Sequence, residues 1–416
     1  MNSSPSAKFD PKRPSVKLLL HFWISLIRVI LPIASLTTLA HYEGWLEPFE
    51  LANFDIFATL YPHRQPPGTM VVRIDQKYFD SAFNGSLSNL NELGKLIDAV
   101  AKGGAAVVGI DLLPPRSAMI AFHEKPDWPP IVWAVERIEE DGVAKAALPA
   151  LPRGMDGAGI AALPEDSDGL VRRYMPFIEV DGGEVSSLPH AIAQAYDKRL
   201  GASKGGEGVE LRLGTFGTGF RHVGISADDV MRVSQDSDWP NGSLRGKVVL
   251  IGGEYVKEDG DRDLHRTPAG DVSGCDLMAL ATDSELRGGG IHSLSEWAGF
   301  SLDIFSGLAL TALHLMVRER VSRSWLIVLE AGVVFFTFSF LLYLVGSWWL
   351  SSVPTILGVM AHEIHHHGSH AKDHPEAAEM PKNKVTEGST PPTHSGHNKH
   401  KDPKNKRKRR RAAGHR

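Results

Sequence analysis

A single cysteine, Cys275, occurs in the whole chain, so no intramolecular disulfide is available and the fold must rest on its buried core. Phosphate-binding glycine patterns are missing too. The nearest stretch, LIGGEYVKEDG (250–260), has neither G-x-G-x-x-G spacing nor a Walker lysine–serine ending. No nucleophile–base signature accompanies the acidic residues, which argues against acid/base catalysis. A strong charge of one sign is also lacking: the net charge of −4 is the sum of an acidic centre and a basic tail, and says little about partners. Long apolar runs are absent between residues 42 and 292 and are confined to the two flanks.

Those flanks organise the chain. The first run, 17–40, is about 36 Å long as a helix, enough to cross a bilayer core. Lys8, Lys12, Arg13 and Lys17 precede it and place residues 1–16 in the cytoplasm. The rival reading, a signal peptide cut after Thr38 and Ala40, is opposed by the run's length and by Arg28 within it. Three more runs follow, at 293–317, 324–345 and a short 347–362 that contains Pro354 and allows a re-entrant hairpin. Arg318, Arg320 and Arg323 mark a cytoplasmic loop. Trp45, Trp297, Trp348 and Trp349 fall at the outer interface, and Trp23 and Trp325 at the inner one. Four spans then leave 42–292 outside and both termini inside.

The central block reads as a mixed α/β domain. MVVRID (70–75), AAVVGIDLL (105–113), PPIVWAVE (129–136) and GKVVLIGG (246–253) are short apolar runs suited to strands buried on both faces. Leu90, Leu93, Leu96, Ile97 and Val100 repeat at helical spacing and stop at Gly103-Gly104, which predicts a strand–helix–strand crossover. VRRYMPFIEV (171–180) before Asp181-Gly182-Gly183 predicts a hairpin, and 187–200 a second helix.

In order, these segments resemble the type-2 CHASE domain, the extracellular sensory module of bacterial cyclases, histidine kinases and serine/threonine kinases. The resemblance rests on VVRID, GGAAVVGIDLL, the D-x-D-G-x-x-R turn in LPEDSDGLVRRYMPF, LRGKVVLIGG with Asp261-Arg262-Asp263 and Thr267-Pro268, and SGCDLMALATDSELRGGG. It covers about residues 45–360; the family's Trp-Pro-Arg segment is replaced by SAFNGSLSNL (81–90). It implies a multi-pass receptor of a bacterial cytoplasmic membrane, with an extracytoplasmic or periplasmic domain and no cofactor. Such a receptor would sense a small molecule or ion outside and signal through a cytoplasmic or membrane partner, as a possible homodimer.

Asp75 and Asp111 close adjacent strand candidates, where open α/β sheets bind ligands. Two carboxylates there suit a divalent cation or a cationic ligand, although loop capping is the plainer role of each. Asp261, Asp263 and His265 follow the fourth strand candidate and reach the same sheet edge. HEIHH at 362–366 matches H-E-x-x-H formally. With His370 it reads as a weakly metal-binding, His-rich collar, the protease reading of His362, Glu363 and His366 being the alternative. Lys404 to Arg411 is a basic run in a polar tail (363–416), suited to anionic lipid headgroups at about 1 kcal/mol per basic residue. Arg28 and Asp303 are ionisable groups inside antiparallel spans and are expected to pair, with Glu330 as a competing partner. A membrane hydrolase and a non-sensing scaffold are the other function classes.

Overall fold

The computed structural model describes residues 23–24, 26–60, 68–140, 143–147, 157–180, 183–197, 209–210, 221–235, 239, 242, 244–256, 260, 262–287, 290–316, 324–346, 348–361 and 364. Asp261, the HEIHH histidines with His370, and the basic run of the tail lie outside them.

A five-residue π turn, Leu26–Ile30, leads into helix α1 (Leu31–Tyr42), and a turn separates it from α2 (Glu47–Leu60). Then come β1 (Thr69–Asp75), α3 (Gln76–Phe83), α4 (Asn91–Lys102), β2 (Val107–Asp111), α5 (Arg116–Ala121), β3 (Ile131–Glu140), β4 (Val143–Ala147) and β5 (Ala158–Ile160). Next are β6 (Arg173–Tyr174), β7 (Phe177–Val180), β8 (Gly183–Ser186), α6 (Leu188–Tyr196), β9 (Val209–Glu210), β10 (Gly224–Ser226), α7 (Ala227–Val233) and β11 (Val248–Glu254). The last are β12 (Leu264–Thr267), β13 (Gly270–Ser273), α8 (Gly274–Leu286), β14 (His292–Ser293), α9 (Glu296–Met316), α10 (Ser324–Leu341) and β15 (Trp348–Trp349), with a further helix over 353–361.

The main sheet runs β10-β1-β11-β2-β3-β4 and is parallel apart from the β3–β4 hairpin; β5 joins β3 in parallel. All four expected strands are in it. β11 inserts between β1 and β2, so the crossover through α4 skips one strand. The expected helix is α4, whose Leu93, Leu96, Ile97 and Val100 are fully buried, each contributing about 2 kcal/mol of transfer free energy. The expected hairpin is β7–β8.

Period-two alternation divides β1 between two layers. Met70, Val72 and Ile74 face the core formed with α3, α4 and α7, while Val71 and Arg73 face α8. Helix α8 is buried over twelve of its thirteen residues and so belongs to the domain's interior. Three of them are acids, and each is matched. Asp276 takes Arg73 of β1. Asp283 takes His222 (3.0 Å) and the Thr69 N–H (2.9 Å). Glu285 takes the Tyr174 hydroxyl (2.8 Å) and faces His190 (3.2 Å). Buried charges persist only when so paired.

The expected spans correspond to the π turn with α1, to α9, to α10 with a second π turn (Leu342–Gly346), and to helix 353–361. Among the described residues no helix is long and apolar enough to cross a membrane. The expected turn at residues 346–347 is followed by a two-residue strand, β15, paired with β14, which brings Trp348 and Trp349 level with the start of α9. Helix α2 has no counterpart in the sequence expectations. Its Phe54 and Phe57 are buried against Phe336, Phe340, Tyr343 and Trp349, with ring centroids 5.0–6.2 Å apart.

Candidate functional site: a crevice at the carboxyl edge of the sheet

Asp75, Glu254 and Asp111 end three neighbouring strands: Asp75 lies opposite Glu254, and Asp111 opposite Gly252. Helix α8 runs against β1 in the opposite sense, Asp276 at Arg73 and Asp283 at Thr69, so its N-terminus opens at this edge. The result is an open crevice of about 240 Å³ lined by Arg221, Glu254, Arg262, Asp263, Ser273 and Asp276.

The floor is a buried ion network. Arg73 Nε lies 2.8 Å from Glu254, and Nη2 donates to Asp276 (2.6 Å) and to the His222 carbonyl (2.5 Å). Glu254 also holds Arg221, whose side chain is largely exposed at the rim. The backbone makes room for this. A Cβ on Gly224 would sit 2.1 Å from Arg73 Nη1 and 2.3 Å from the Val71 carbonyl, and one on Gly252 would sit 2.3 Å from Cys275 Cβ. Only glycine admits the guanidinium and the first turn of α8 so close to the strands.

Asp75 is committed to capping: its carboxylate accepts the Tyr78 N–H at 2.8 Å and starts α3. Asp111 is half-buried on β2 and, after burial itself, helps push the Tyr255 phenol up to about 12, with Asp263 adding to it. Asp263 lines the crevice, and His265 stands beside it at 3.4 Å. The edge therefore unites Asp263 and His265 with Glu254, Asp276, Arg73, Arg221 and Arg262. Arg73, the keystone, was not among the candidates, although an arginine inside an otherwise apolar strand is a legible signal.

A cation is poorly served. Glu254, Cys275 and Asp276 offer ligand atoms within 4.8 Å of one another, but Arg73 already bridges both carboxylates. Burial, with Asp276 second, pushes the Cys275 thiol well above its ordinary value, so it stays protonated and is neither a ready ligand nor a nucleophile. What the crevice offers is charge of both signs at its rim: the exposed Arg262, the Arg221–Glu254 pair and the Asp263 carboxylate.

A second network fastens the domain to α2. Arg172 is fully buried, pairs bidentately with Asp55 (2.7 and 2.9 Å), and bonds Asp166 (3.0 Å) and Asp168 (2.7 and 2.8 Å). Burial works against its charge, and the bonds to Asp55, Asp168 and Asp166 more than offset that, leaving its pKa above the ordinary arginine value. The D-x-D-G-x-x-R turn is thus a clamp on α2. A profile of the CHASE2 domain matches residues 30–313, well over half of the chain and all of both networks. This chain belongs to the CHASE2 family. No curated protein and no solved structure gives a significant match. CHASE2 domains are extracellular sensor domains of signalling proteins.

The expected Arg28–Asp303 pair is replaced by a different contact. Asp303 reaches the first helix through Thr37 (3.0 Å) and the last through Thr355 (2.6 Å), while Arg28 is exposed. The reason is depth. Asp303 lies seven residues, about 10 Å, from the start of α9 at Glu296. Arg28 lies fourteen residues, about 21 Å, from the end of α1 at Tyr42.

Proposed function

We propose that this CHASE2 chain is a membrane-anchored receptor whose external domain binds a small zwitterionic molecule in the crevice at the sheet edge. A carboxylate or similar anion of the ligand would face Arg262 and draw Arg221 from its pair with Glu254, and an ammonium would take the freed Glu254 and Asp263. The crevice lies just below the usual range of about 300–1,000 Å³ for ligand pockets. The observation that carries the reading is Arg73, which ties the crevice to α8. That helix leads, through residues 287–295, to α9.

Anchoring in a bacterial cytoplasmic membrane, with 42–292 outside and both termini inside, rests on the sequence's apolar flanks and basic loops. It is supported by large apolar side chains left exposed along these helices, such as Phe305 (69%) and Val345 (86%). A change at α8 would be passed to a cytoplasmic or membrane partner by α9, and α2, held by Arg172 and by the aromatic cluster, would move with it. The test is a thermal-shift screen of zwitterionic metabolites against the full chain in nanodiscs, repeated with Arg221→Ala and Asp263→Asn. Compounds that stabilise the native protein should lose most of their effect on both variants. Stabilisation indifferent to both changes would place the ligand elsewhere.

A further inference from the structure

Asp303 faces two neighbouring helices, accepting the Thr37 hydroxyl of α1 on Oδ2 and the Thr355 hydroxyl of helix 353–361 on Oδ1. Among the described residues no Lys, Arg or His nitrogen forms an ion pair with it. His41, one turn outward on α1, is bound to Glu50 at 2.7 Å and reaches Asp303 only through its electrostatic field, and Arg28 is exposed. A carboxylate in an apolar helix junction is stable only with a compensating positive charge or a bound proton.

Space for that charge adjoins it. A cavity of about 20 Å³ is lined by Asp303, Thr37, Ser306 and Thr355 on one side and by the apolar Ile30, Ile33 and Val359 and small residues elsewhere. That is room for one water or one bare ion and too little for a hydrated one. The three hydroxyls are buried. Ser306 gives its proton to the Leu302 carbonyl (2.6 Å), and the single Thr37 proton is contested by the carbonyls of Ile33 (3.1 Å) and Ala34 (3.0 Å) and by Asp303. Where Thr37 donates within its own helix, the Thr37 and Ser306 hydroxyls line the cavity beside Asp303 with their protons committed to backbone carbonyls. Such a set of oxygens suits a hard cation. A second cavity, of about 130 Å³, is lined by Thr38, His41, Ser293, Ser295, Asp303 and Ser351, and leads to the same carboxylate from the level of β14 and β15.

We propose that Asp303, Thr37, Ser306 and Thr355 form a binding site for one small monovalent cation of sodium's size, filled through the larger cavity, that holds α1, α9 and helix 353–361 together. One carboxylate matches one charge; a divalent ion would leave an excess positive charge in the junction. Protons compete for the same oxygen atoms. The site is separate from the crevice at the sheet edge and stands without it.

The experiment is thermal unfolding of the full chain in detergent in NaCl, KCl or choline chloride at constant ionic strength, at neutral and at mildly acidic pH. Sodium should raise Tm saturably, by about 5 °C at a hundredfold excess over Kd. The rise should shrink at the acidic pH, vanish in Asp303→Asn and weaken in Ser306→Ala. Ser306→Ala leaves the Asp303–threonine bonds in place and decides the matter if Asp303→Asn does not fold. Equal Tm values in the three salts would overturn the proposal, whether or not pH alone shifts them, as would a sodium effect that survives the substitutions.

Discussion

Replacing Arg172 by methionine should be the most damaging single substitution in the clamp on α2. The guanidinium is 1% exposed and serves three carboxylates, of which Asp166 has a 2% exposed side chain and Asp55 a 28% exposed one. Methionine keeps most of the volume, so the loss is of charge and hydrogen bonds, with Asp166 left buried beside Arg173 alone (2.9 Å). Removing one partner of a buried pair costs about 3–5 kcal/mol. For a domain of this size that corresponds to a Tm drop of roughly 10 °C. The control is Asp168→Asn: its side chain is 42% exposed, so its pair with Arg172 is worth at most about 1 kcal/mol. The two are compared by thermal unfolding of the full chain in nanodiscs. There is a pH signature as well. The hydrogen bond from Arg172 holds the Asp168 carboxyl below the usual carboxylate range, so its contribution is present above the ordinary value of about 4 and fades as pH falls through the lowered one. That acid limb should be lost in Arg172→Met. Equal Tm losses in the two variants would refute the clamp.

Gly224→Ala should lower Tm by several degrees and abolish any crevice ligand's effect, because its Cβ would collide with Arg73 Nη1 and the Val71 carbonyl; thermal unfolding with and without ligand reads both. Cys275 should resist a thiol reagent in the folded protein and react only on unfolding, since it is buried and its thiol is held protonated; rapid stoichiometric labelling of the native protein would contradict this. A topology reporter fused after Val345 should read as external and one after Lys384 as cytoplasmic; an external reading at Lys384 would favour a re-entrant last segment.

The parts of the fold that announce themselves are those with a simple burial pattern. β1, β2, β3 and β11 are apolar on both faces, and α4 has a clean helical stripe, so each is readable from spacing alone. Helix α2 escapes because its apolar residues divide between a buried face, with Phe54 and Phe57, and an exposed one, with Phe49, Ile56 and Leu60. Asp276, Asp283 and Glu285 of α8 look like solvated positions in the sequence, since their partners Arg73, His222 and His190 are 61 to 203 residues distant and no local pattern links them. Asp263 was legible as a crevice residue, with His265 beside it; Asp75 was legible as a cap. The Asp303 contact was half legible: the need for a partner on the first helix was readable, and its identity depended on helix ends that hydropathy does not locate.

The central claim is that occupation of the crevice acts on α8. Hydrogen–deuterium exchange of the full chain in nanodiscs, with and without a saturating stabiliser from the screen, tests it most directly. The account predicts added protection at the carboxyl end of β11 and the first turn of α8, extending along α8 towards Leu286. Protection confined to other elements, with α8 unchanged, would contradict it.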